Sequence, residues 1–170
     1  VKALYEKYRE VKPTPPRVVK SGPVLENVYR GSDIDLFEFP APQWHMTDAA
    51  RYIGTYCIII TKDPEEGWVN LGTYRTMIHD KDTLLTFTEP GQHRTLQMEK
   101  YFARHEPMPV AMCFGADPLL IEMSGHEYPW GVSEYDMAGG IRGEPVEVIE
   151  GEFTGLPIPA GAEIAVEGMT

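Results

Sequence analysis

The stretch YIGTYCIII, residues 52–60, is an apolar run, and WVNLGTYR, residues 68–75, follows it across DPEEG, residues 63–67. β-Branched and aromatic residues bounded by Gly, Pro and acidic residues are typical of strands joined by a turn. The apolar run predicts a buried strand. The polar groups that follow the turn, an amide, hydroxyls and an arginine, are a first candidate for a ligand-binding site.

Strand alternation in residues 68–75 predicts one face with Trp68, Asn70, Gly72 and Tyr74. Gly72 leaves a gap beside Asn70, which predicts the close approach of a flat group or a phosphate. An Asn beside a Gly is also typical of the turn at the end of a strand. The residue types alone leave both interpretations open.

Short apolar segments recur along the rest of the chain, separated by Gly- and Pro-containing turns. The further predicted strands are RVVK, DLFEF, LLTFT, PVAMCFG, VEVIE and AEIAVEG. Helical spacing predicts helices in HRTLQMEKYFARHE, residues 93–106, and in DPLLIEMSG, residues 117–125. Many short strands with few helices predict a mainly β fold with flanking helices, of barrel or sandwich type in the α+β class.

The front of the chain differs from the rest. Residues 3–10 have helical spacing, and the proline-rich KPTPPR that follows reads as an extended linker. We expect residues 1–17 to be a helix and linker from a preceding domain, and residues 18–170 to form one domain.

Composition excludes several classes of protein. The net charge of −11 argues against a nucleic-acid surface, which needs clustered Lys and Arg. No apolar run approaches the ~20 residues of a membrane helix and no leader is visible, which predicts a cytoplasmic protein without a membrane span. Cys57 and Cys113 lie in apolar runs and are expected to be buried thiols.

Two further polar residues stand at conspicuous places. His93 follows the turn PGQ at the predicted start of a helix, where a cap, a surface residue and a ligand are all possible. Glu134 lies between a Pro-Trp-Gly turn and a glycine-rich run, and on its own an exposed loop acid is the favoured interpretation. Together with Asn70, they form a mixed nitrogen and oxygen set that suits Mn²⁺ or Mg²⁺; the absence of thiolate argues against structural zinc.

Six segments resemble the UbiD family, the prenylated-flavin-dependent carboxylases and decarboxylases. They occur in family order with family-like spacing, and the resemblance covers roughly three quarters of the chain. The segments are DAARYIGTY, WVNLGTYR, HDKD, GQH, GVSE and IPAGAEIAVEG. The resemblance implies a split β-barrel of the FMN-binding type.

The resemblance also implies a metal site. Asn70, His93 and Glu134 fall where the family binds the divalent cation, usually Mn²⁺ (or Mg²⁺), that holds the phosphate of prenylated FMN. Arg75 matches the arginine of the family's catalytic network.

Three more positions are implied as cofactor-binding. Gln92 and Thr55 match positions near the flavin. Ser124 lies in MSGH, which aligns with a loop near the cofactor and K⁺, although this loop is one residue shorter here.

The activity implied is reversible, non-oxidative decarboxylation of an aromatic or α,β-unsaturated carboxylic acid, with release of CO₂, through a covalent adduct with prenylated FMN. A flavin prenyltransferase would supply the cofactor, and the full-length parent would be a homo-oligomer. The family's catalytic glutamates, in an EGPFGE-like motif, and its C-terminal domain are not in this chain, so we expect the chain alone to be inactive.

Two alternatives remain open from the sequence. One is a flavin-reductase-like FMN-binding domain, which would not need Asn70, His93 and Glu134 to converge. The other is a non-catalytic subunit of a multi-component carboxylase.

Overall fold

The computed structural model describes Tyr8 and residues 10–170. Most of the helix predicted over residues 3–10 therefore lies outside the described residues. The described chain forms three sheets with a few helices, which confirms the α+β class. The sheets are separate and no closed barrel is formed by these residues, so the split barrel stays a prediction.

The strands are short and are numbered here in chain order. They are β1 (Arg17–Val18), β2 (Arg51–Gly54), β3 (Ile58–Lys62), β4 (Val69–Gly72), β5 (Thr76–Ile78), β6 (Leu84–Thr86), β7 (Pro109–Phe114), β8 (Glu147–Glu150), β9 (Pro157–Pro159) and β10 (Ile164–Met169). The α-helices that lie wholly within the described residues are α1 (His93–Ala103), α2 (Pro118–Ser124) and α3 (Glu134–Arg142). Short 3₁₀ helices span Pro23–Leu25, Gly31–Asp33 and Leu36–Glu38.

The largest sheet is antiparallel, with the strand order β10, β7, β3, β4. A second sheet has the order β2, β5, β6, and a third has β1, β8, β9 with β1 parallel to β8. In the largest sheet β4 is an edge strand. Its outer backbone groups therefore need partners from outside the sheet.

Strand β3 is buried on both faces, which explains its unbroken run of isoleucines. Ile58 and Ile60 are fully buried in the main core, which also includes residues of β4, α2 and α3. Ile59 points to the opposite face and packs in a second cluster with Met108 and Val110, against which residues of α1 pack. A strand covered on both faces has no polar positions to alternate with.

The segments YIGTYCIII and WVNLGTYR each run from one sheet towards another. The apolar run 52–60 contains the end of β2 and the start of β3, with a bend between them. The segment 68–75, predicted as one strand, contains β4 and then a connection, residues 73–75, that leads to β5 in the second sheet. The polar residues Thr73–Arg75 therefore belong to a sheet-to-sheet connection and not to the strand itself.

Several other sequence predictions are confirmed and some are wrong. Helices were predicted where α1 and α2 occur. The strand predicted at 35–39 is instead a 3₁₀ helix, because Asp35 accepts the Phe37 amide at 2.9 Å and favours a turn. Strands β5 and β9 and helix α3 were not predicted; β9 lies in a proline-rich segment that is tolerated because β9 is an edge strand.

Both cysteines are buried and free, as the sequence predicted. Burial raises the pKa of the Cys57 and Cys113 thiols, which keeps them protonated and unreactive. Within the described residues, no helix combines the length and hydropathy needed to cross a bilayer.

The proline-rich segment lies against α3. The Thr14 amide donates to the Asp136 carbonyl at 2.9 Å, and a Cβ on Gly139 would lie 2.5 Å from the Thr14 carbonyl oxygen. Gly139 is therefore required by the close approach of a second backbone, and not by a turn. That residues 1–17 come from a preceding domain stays a prediction.

We expect Gly139→Ala to destabilise the chain by about 1–3 kcal/mol, since the added methyl group forces the two backbones apart. An ordinary helical Gly→Ala change would instead stabilise the helix by up to about 1 kcal/mol. Chemical denaturation measures the free energy of unfolding. The control is Gly168→Ala, where a Cβ would meet no atom within 4 Å; equal stability of the two variants would contradict the packing role of Gly139.

Candidate functional site

Strand β4 carries the central polar residue. Asn70 is 3% exposed, and its Nδ2 atom has no hydrogen-bond partner within the described part of the chain. Since the oxygen and nitrogen of an amide are assigned from their contacts, either end of this side chain can be presented to a ligand. A buried, unpaired amide costs free energy unless a bound group satisfies it.

Glu134 supplies a hydrogen-bond acceptor at the free edge of β4. It is the first residue of α3, is 2% exposed, and its carboxylate accepts the Leu71 amide at 2.7 Å. The exposed loop acid favoured from the sequence is therefore wrong. The glycines that made the segment look like a loop lie inside a helix, where they accommodate the neighbouring backbone.

Burial dominates the electrostatics of Glu134. Burial raises the pKa of this carboxyl group to about 8, although the Leu71 amide and the group's own backbone amide lower it. No ion pair to Glu134 occurs among the described residues. A cation bound beside the carboxylate would remove the cost of its charge.

His93 is the first residue of α1 and is half-buried. Its ring lies edge-on to Trp68 and to Trp130, with ring centroids 5.4 Å apart in each pair. Trp68 immediately precedes β4 and shares its face with Asn70. His93 is thereby tied to the same end of the edge strand.

The structure thus brings all three predicted metal-binding residues to β4. Asn70 lies on the strand, the Glu134 carboxylate accepts the amide of the neighbouring residue Leu71, and His93 packs against Trp68, which precedes the strand. Over Tyr8 and residues 10–170, no group of three His, Cys, Asp or Glu side chains could hold a metal ion. A divalent cation here therefore requires the amide of Asn70 beside the imidazole and the carboxylate, a donor set that fits Mn²⁺ or Mg²⁺.

The gap predicted over Gly72 is filled by the protein itself. The Tyr74 ring folds back across Gly72, so that a Cβ on Gly72 would lie 2.7 Å from the Tyr74 hydroxyl oxygen. The expectation of open space for a flat group or a phosphate at this glycine is therefore wrong. The alternation of faces ends with β4 at Gly72, and the chain turns before Tyr74.

Arg75 is exposed in the connection that follows. Its guanidinium carbon lies 5.7 Å from the centre of the Phe87 ring, and the Phe87 amide donates to the Arg75 carbonyl at 3.1 Å. In the part of the chain that the structure covers, no carboxylate pairs with Arg75. Its charge is therefore available to an anionic ligand.

Arg94 contacts the residues next to Arg75. It is buried, donates to the Phe87 carbonyl at 3.3 Å, and also donates to the hydroxyls of Thr86 and Thr88. Its guanidinium carbon lies 5.2 Å from the centre of the Tyr74 ring. Sequence reasoning did not select Arg94, because an arginine in the first turn of a helix is normally a surface residue.

The other predicted cofactor-binding residues lie around this region. Thr55 is exposed in the bend between β2 and β3. Gln92 precedes α1, and its buried Oε1 atom has no partner among the described residues. Ser124 is buried at the end of α2, where its hydroxyl donates to the Ile121 carbonyl at 2.7 Å. No hydrogen bond or ion pair between described residues links Thr55 or Ser124 to Asn70, His93 or Glu134.

Comparison with known sequences places the chain in a family. Residues 17–170 match the family model of the UbiD 3-octaprenyl-4-hydroxybenzoate carboxy-lyase Rift-related domain. The pyrrole-2-carboxylic acid decarboxylase of Pseudomonas aeruginosa is 38% identical over 166 residues, which are 98% of this chain and 34% of the relative. Ferulic acid decarboxylase 1 of Saccharomyces cerevisiae is 32% identical over 94% of this chain and 33% of the relative. The chain spans about a third of the length of these curated relatives.

Solved structures with the same fold belong to this family too. An evolved dimeric form of the UbiD-class enzyme HmfF from Pelotomaculum thermopropionicum, in complex with prFMN, superposes with a TM-score of 0.92 at 30% identity, covering 99% of this chain and 40% of that one. The closed form of vanillic acid decarboxylase from Sedimentibacter hydroxybenzoicus gives a TM-score of 0.90 at 31% identity, covering 98% of this chain and 37% of that one. The matched residues and the shared fold show that this chain belongs to the UbiD family.

Proposed function

We propose that this chain is the cofactor-binding part of an enzyme that reversibly decarboxylates an aromatic or α,β-unsaturated carboxylic acid without oxidation, using prenylated FMN. The observation that carries the proposal is the arrangement around β4, where Asn70 is buried on the strand, the Glu134 carboxylate accepts the Leu71 amide and His93 packs against Trp68. The decarboxylase relatives and the prFMN-bound structural neighbour support it. The split-barrel arrangement is part of the same proposal.

Asn70, His93 and Glu134 would hold Mn²⁺ or Mg²⁺ at this edge. Each supplies one donor of the type that these cations accept, and the cation would offset the buried charge of Glu134. Gln92, Ser124 and Thr55 would contact the flavin, and a K⁺ ion would lie near Ser124. When bound, prenylated FMN supplies the electron sink for loss of CO₂, while the protein supplies binding, orientation and electrostatics.

Arg75 would bind the carboxylate of the substrate. Its guanidinium is exposed and without a carboxylate partner among the described residues, and a planar guanidinium binds a carboxylate through two parallel hydrogen bonds. The Phe87 ring and backbone hold the base of Arg75 in place. A fixed charge at the carboxylate orients the bond that breaks when CO₂ leaves.

The partners follow from the same family membership. A flavin prenyltransferase would supply the prenylated cofactor, and the whole protein would be a homo-oligomer. The neighbour described as a dimeric form is an example of such assembly in the family. The chain alone, at about a third of its curated relatives' length, would be inactive.

The pH dependence of stability tests the burial of Glu134. Its pKa is raised on folding, from an unfolded value near 4.5 to about 8, so its contribution to stability is full below pH 4.5 and is lost as the pH rises through 8. We expect the metal-free chain to lose up to roughly 5 kcal/mol across this interval through Glu134. Glu134→Gln should flatten this dependence in chemical denaturation at pH 5, 7 and 8.5.

The matched control is Glu144→Gln, which changes an exposed carboxylate just beyond α3. It should leave the pH profile of the wild type unchanged. If Glu134→Gln and the wild type lose stability in parallel as the pH rises, Glu134 is not the group responsible.

Metal binding gives the direct test of the donor set. Mn²⁺ should raise the melting temperature of the chain at pH 8, since a ligand that binds only the folded state stabilises it by mass action. Asn70→Ala and His93→Ala should each weaken Mn²⁺ binding by about 10-fold or more in isothermal titration. The controls Asn27→Ala and His79→Ala change exposed residues of the same types and should bind as the wild type does. Equal affinity of all five proteins would refute the site.

Arg75 is tested in a chimera in which this chain replaces the matching segment of the Pseudomonas aeruginosa decarboxylase. With prenylated FMN, Arg75→Ala should lower kcat by about 100-fold or more and leave the flavin absorption of the bound cofactor unchanged. Arg30→Ala, which removes an exposed arginine paired with Glu152, is the control. Turnover retained in Arg75→Ala would contradict the assigned role. A chimera that binds prenylated FMN and decarboxylates no carboxylic acid would favour the non-catalytic alternative.

A further inference from the structure

Three aromatic rings form a compact cluster at the proposed metal site. His93 contacts Trp68 and Trp130 edge-on, with interplanar angles of 88° in both pairs. The two indole rings contact each other with centroids 4.9 Å apart at 75°. All three distances and angles are those of favourable T-shaped aromatic pairs. The cluster of Trp68, His93 and Trp130 is called the ring cluster below.

The ring cluster joins the three chain segments that carry the proposed ligands. Trp68 lies two residues before Asn70, and Trp130 lies four residues before Glu134. His93 is itself the third proposed ligand. Contacts within the ring cluster therefore set the relative positions of segments that are far apart in sequence.

Trp130 makes polar contacts in addition to its contacts within the ring cluster. It is 36% exposed and borders a shallow surface cavity of about 560 Å³. Its Nε1 atom donates to the Glu66 carboxylate at 3.0 Å, and the ammonium nitrogen of Lys100 lies 4.8 Å from the ring centre. A tryptophan that merely filled the core would have neither solvent on one side nor two charged partners.

The charged partners of Trp130 are anchored in turn. Lys100 lies two helical turns after His93 on α1 and donates to the buried carboxylate of Asp63 at 2.7 Å. Asp63 also accepts the amides of Glu65 and Glu66, at 2.9 and 2.8 Å, in the turn between β3 and β4. Trp130 is thus contacted by Glu66, in the turn between β3 and β4, and by Lys100, on the helix that begins at His93.

We infer that Trp130 is a positioning residue that fixes the imidazole plane of His93 for the divalent cation. This role rests on the proposed function, because it concerns the affinity of the site for that cation. Without the indole ring, the half-buried His93 side chain loses one of its two aromatic contacts and samples more rotamers. Each rotamer that points away from Asn70 and Glu134 lowers the fraction of the protein able to bind metal.

The test compares Mn²⁺ affinity in variants of the chain at two tryptophan positions, Trp130 and Trp44. Trp130→Ala should bind Mn²⁺ about 10-fold more weakly than the wild type, the loss usual when a ligand's supporting contact is removed. Trp130→Phe keeps a ring beside His93 and should bind within about 3-fold of the wild type. Trp44→Ala, which removes a tryptophan that is 58% exposed and outside the ring cluster, should bind as the wild type does.

A second measurement does not depend on metal. In the metal-free chain, the three-bond NMR couplings between the α and β protons of His93 measure its rotamer populations. Trp130→Ala should average these couplings, because the side chain then samples more rotamers, while Trp44→Ala should leave them unchanged. Trp130→Leu keeps apolar bulk without a ring and replaces Trp130→Ala if the alanine variant does not fold. A change confined to stability, with unchanged His93 couplings, would overturn the inference.

The outcomes separate this inference from the function on which it rests. If the wild type does not bind Mn²⁺ at millimolar concentration, the metal site fails and the positioning role fails with it. If the wild type binds Mn²⁺ and Asn70→Ala weakens that binding, but Trp130→Ala or Trp130→Leu binds as tightly as the wild type, only the positioning role is overturned.

Discussion

The hydrogen bond from the Leu71 amide to the Glu134 carboxylate is the contact on which the arrangement of the site depends. A sheet edge must find partners for its outward backbone groups, and here a helix N-terminus supplies one. The same contact fixes the start of α3 and the Pro-Trp-Gly turn before it, and it brings an acid to the strand that carries Asn70. The bond that protects this strand edge thus also brings two residues of the proposed ligand set together.

Two buried ionisable groups, the acid Glu134 and the base Arg94, lie near the edge strand and the connection that follows it. Glu134 has no cationic partner and Arg94 has no carboxylate partner among the described residues, and Tyr74 is close enough for its pKa to respond to both. Burial has the largest effect on the pKa of the Tyr74 hydroxyl and raises it. The charge of Arg94 lowers this pKa, and Glu134 raises it. Buried ionisable groups without a partner of opposite charge are costly to ionise, so natural proteins keep them mainly where a ligand or a reaction uses the charge.

The sequence predicted those parts of the fold that local patterns determine. The strands β3 and β7 were predicted correctly from their apolar runs. Both lie in the interior of the largest sheet, where nearly every side chain is covered. Helix α3 was not predicted because its glycines are typical of a loop. Gly139 is there for close packing against Thr14, which lies 125 residues earlier in the chain. The ring cluster was not predicted either, since no one-dimensional pattern links Trp68 to Trp130. Donor chemistry suggested Asn70, His93 and Glu134 as a set, and the family resemblance then matched all three to metal-binding positions; periodicity did neither.

The ring of Tyr74 lying across Gly72 constrains how this edge of the protein can vary. One volume is shared by positions 72 and 74, so a larger side chain at the first is compatible only with a smaller one at the second. Because Arg75 is covalently next to the ring, such an exchange would also reshape the surroundings of its charge. Relatives with a larger residue at position 72 are therefore expected to carry a smaller one at position 74, and to place the charge at position 75 differently.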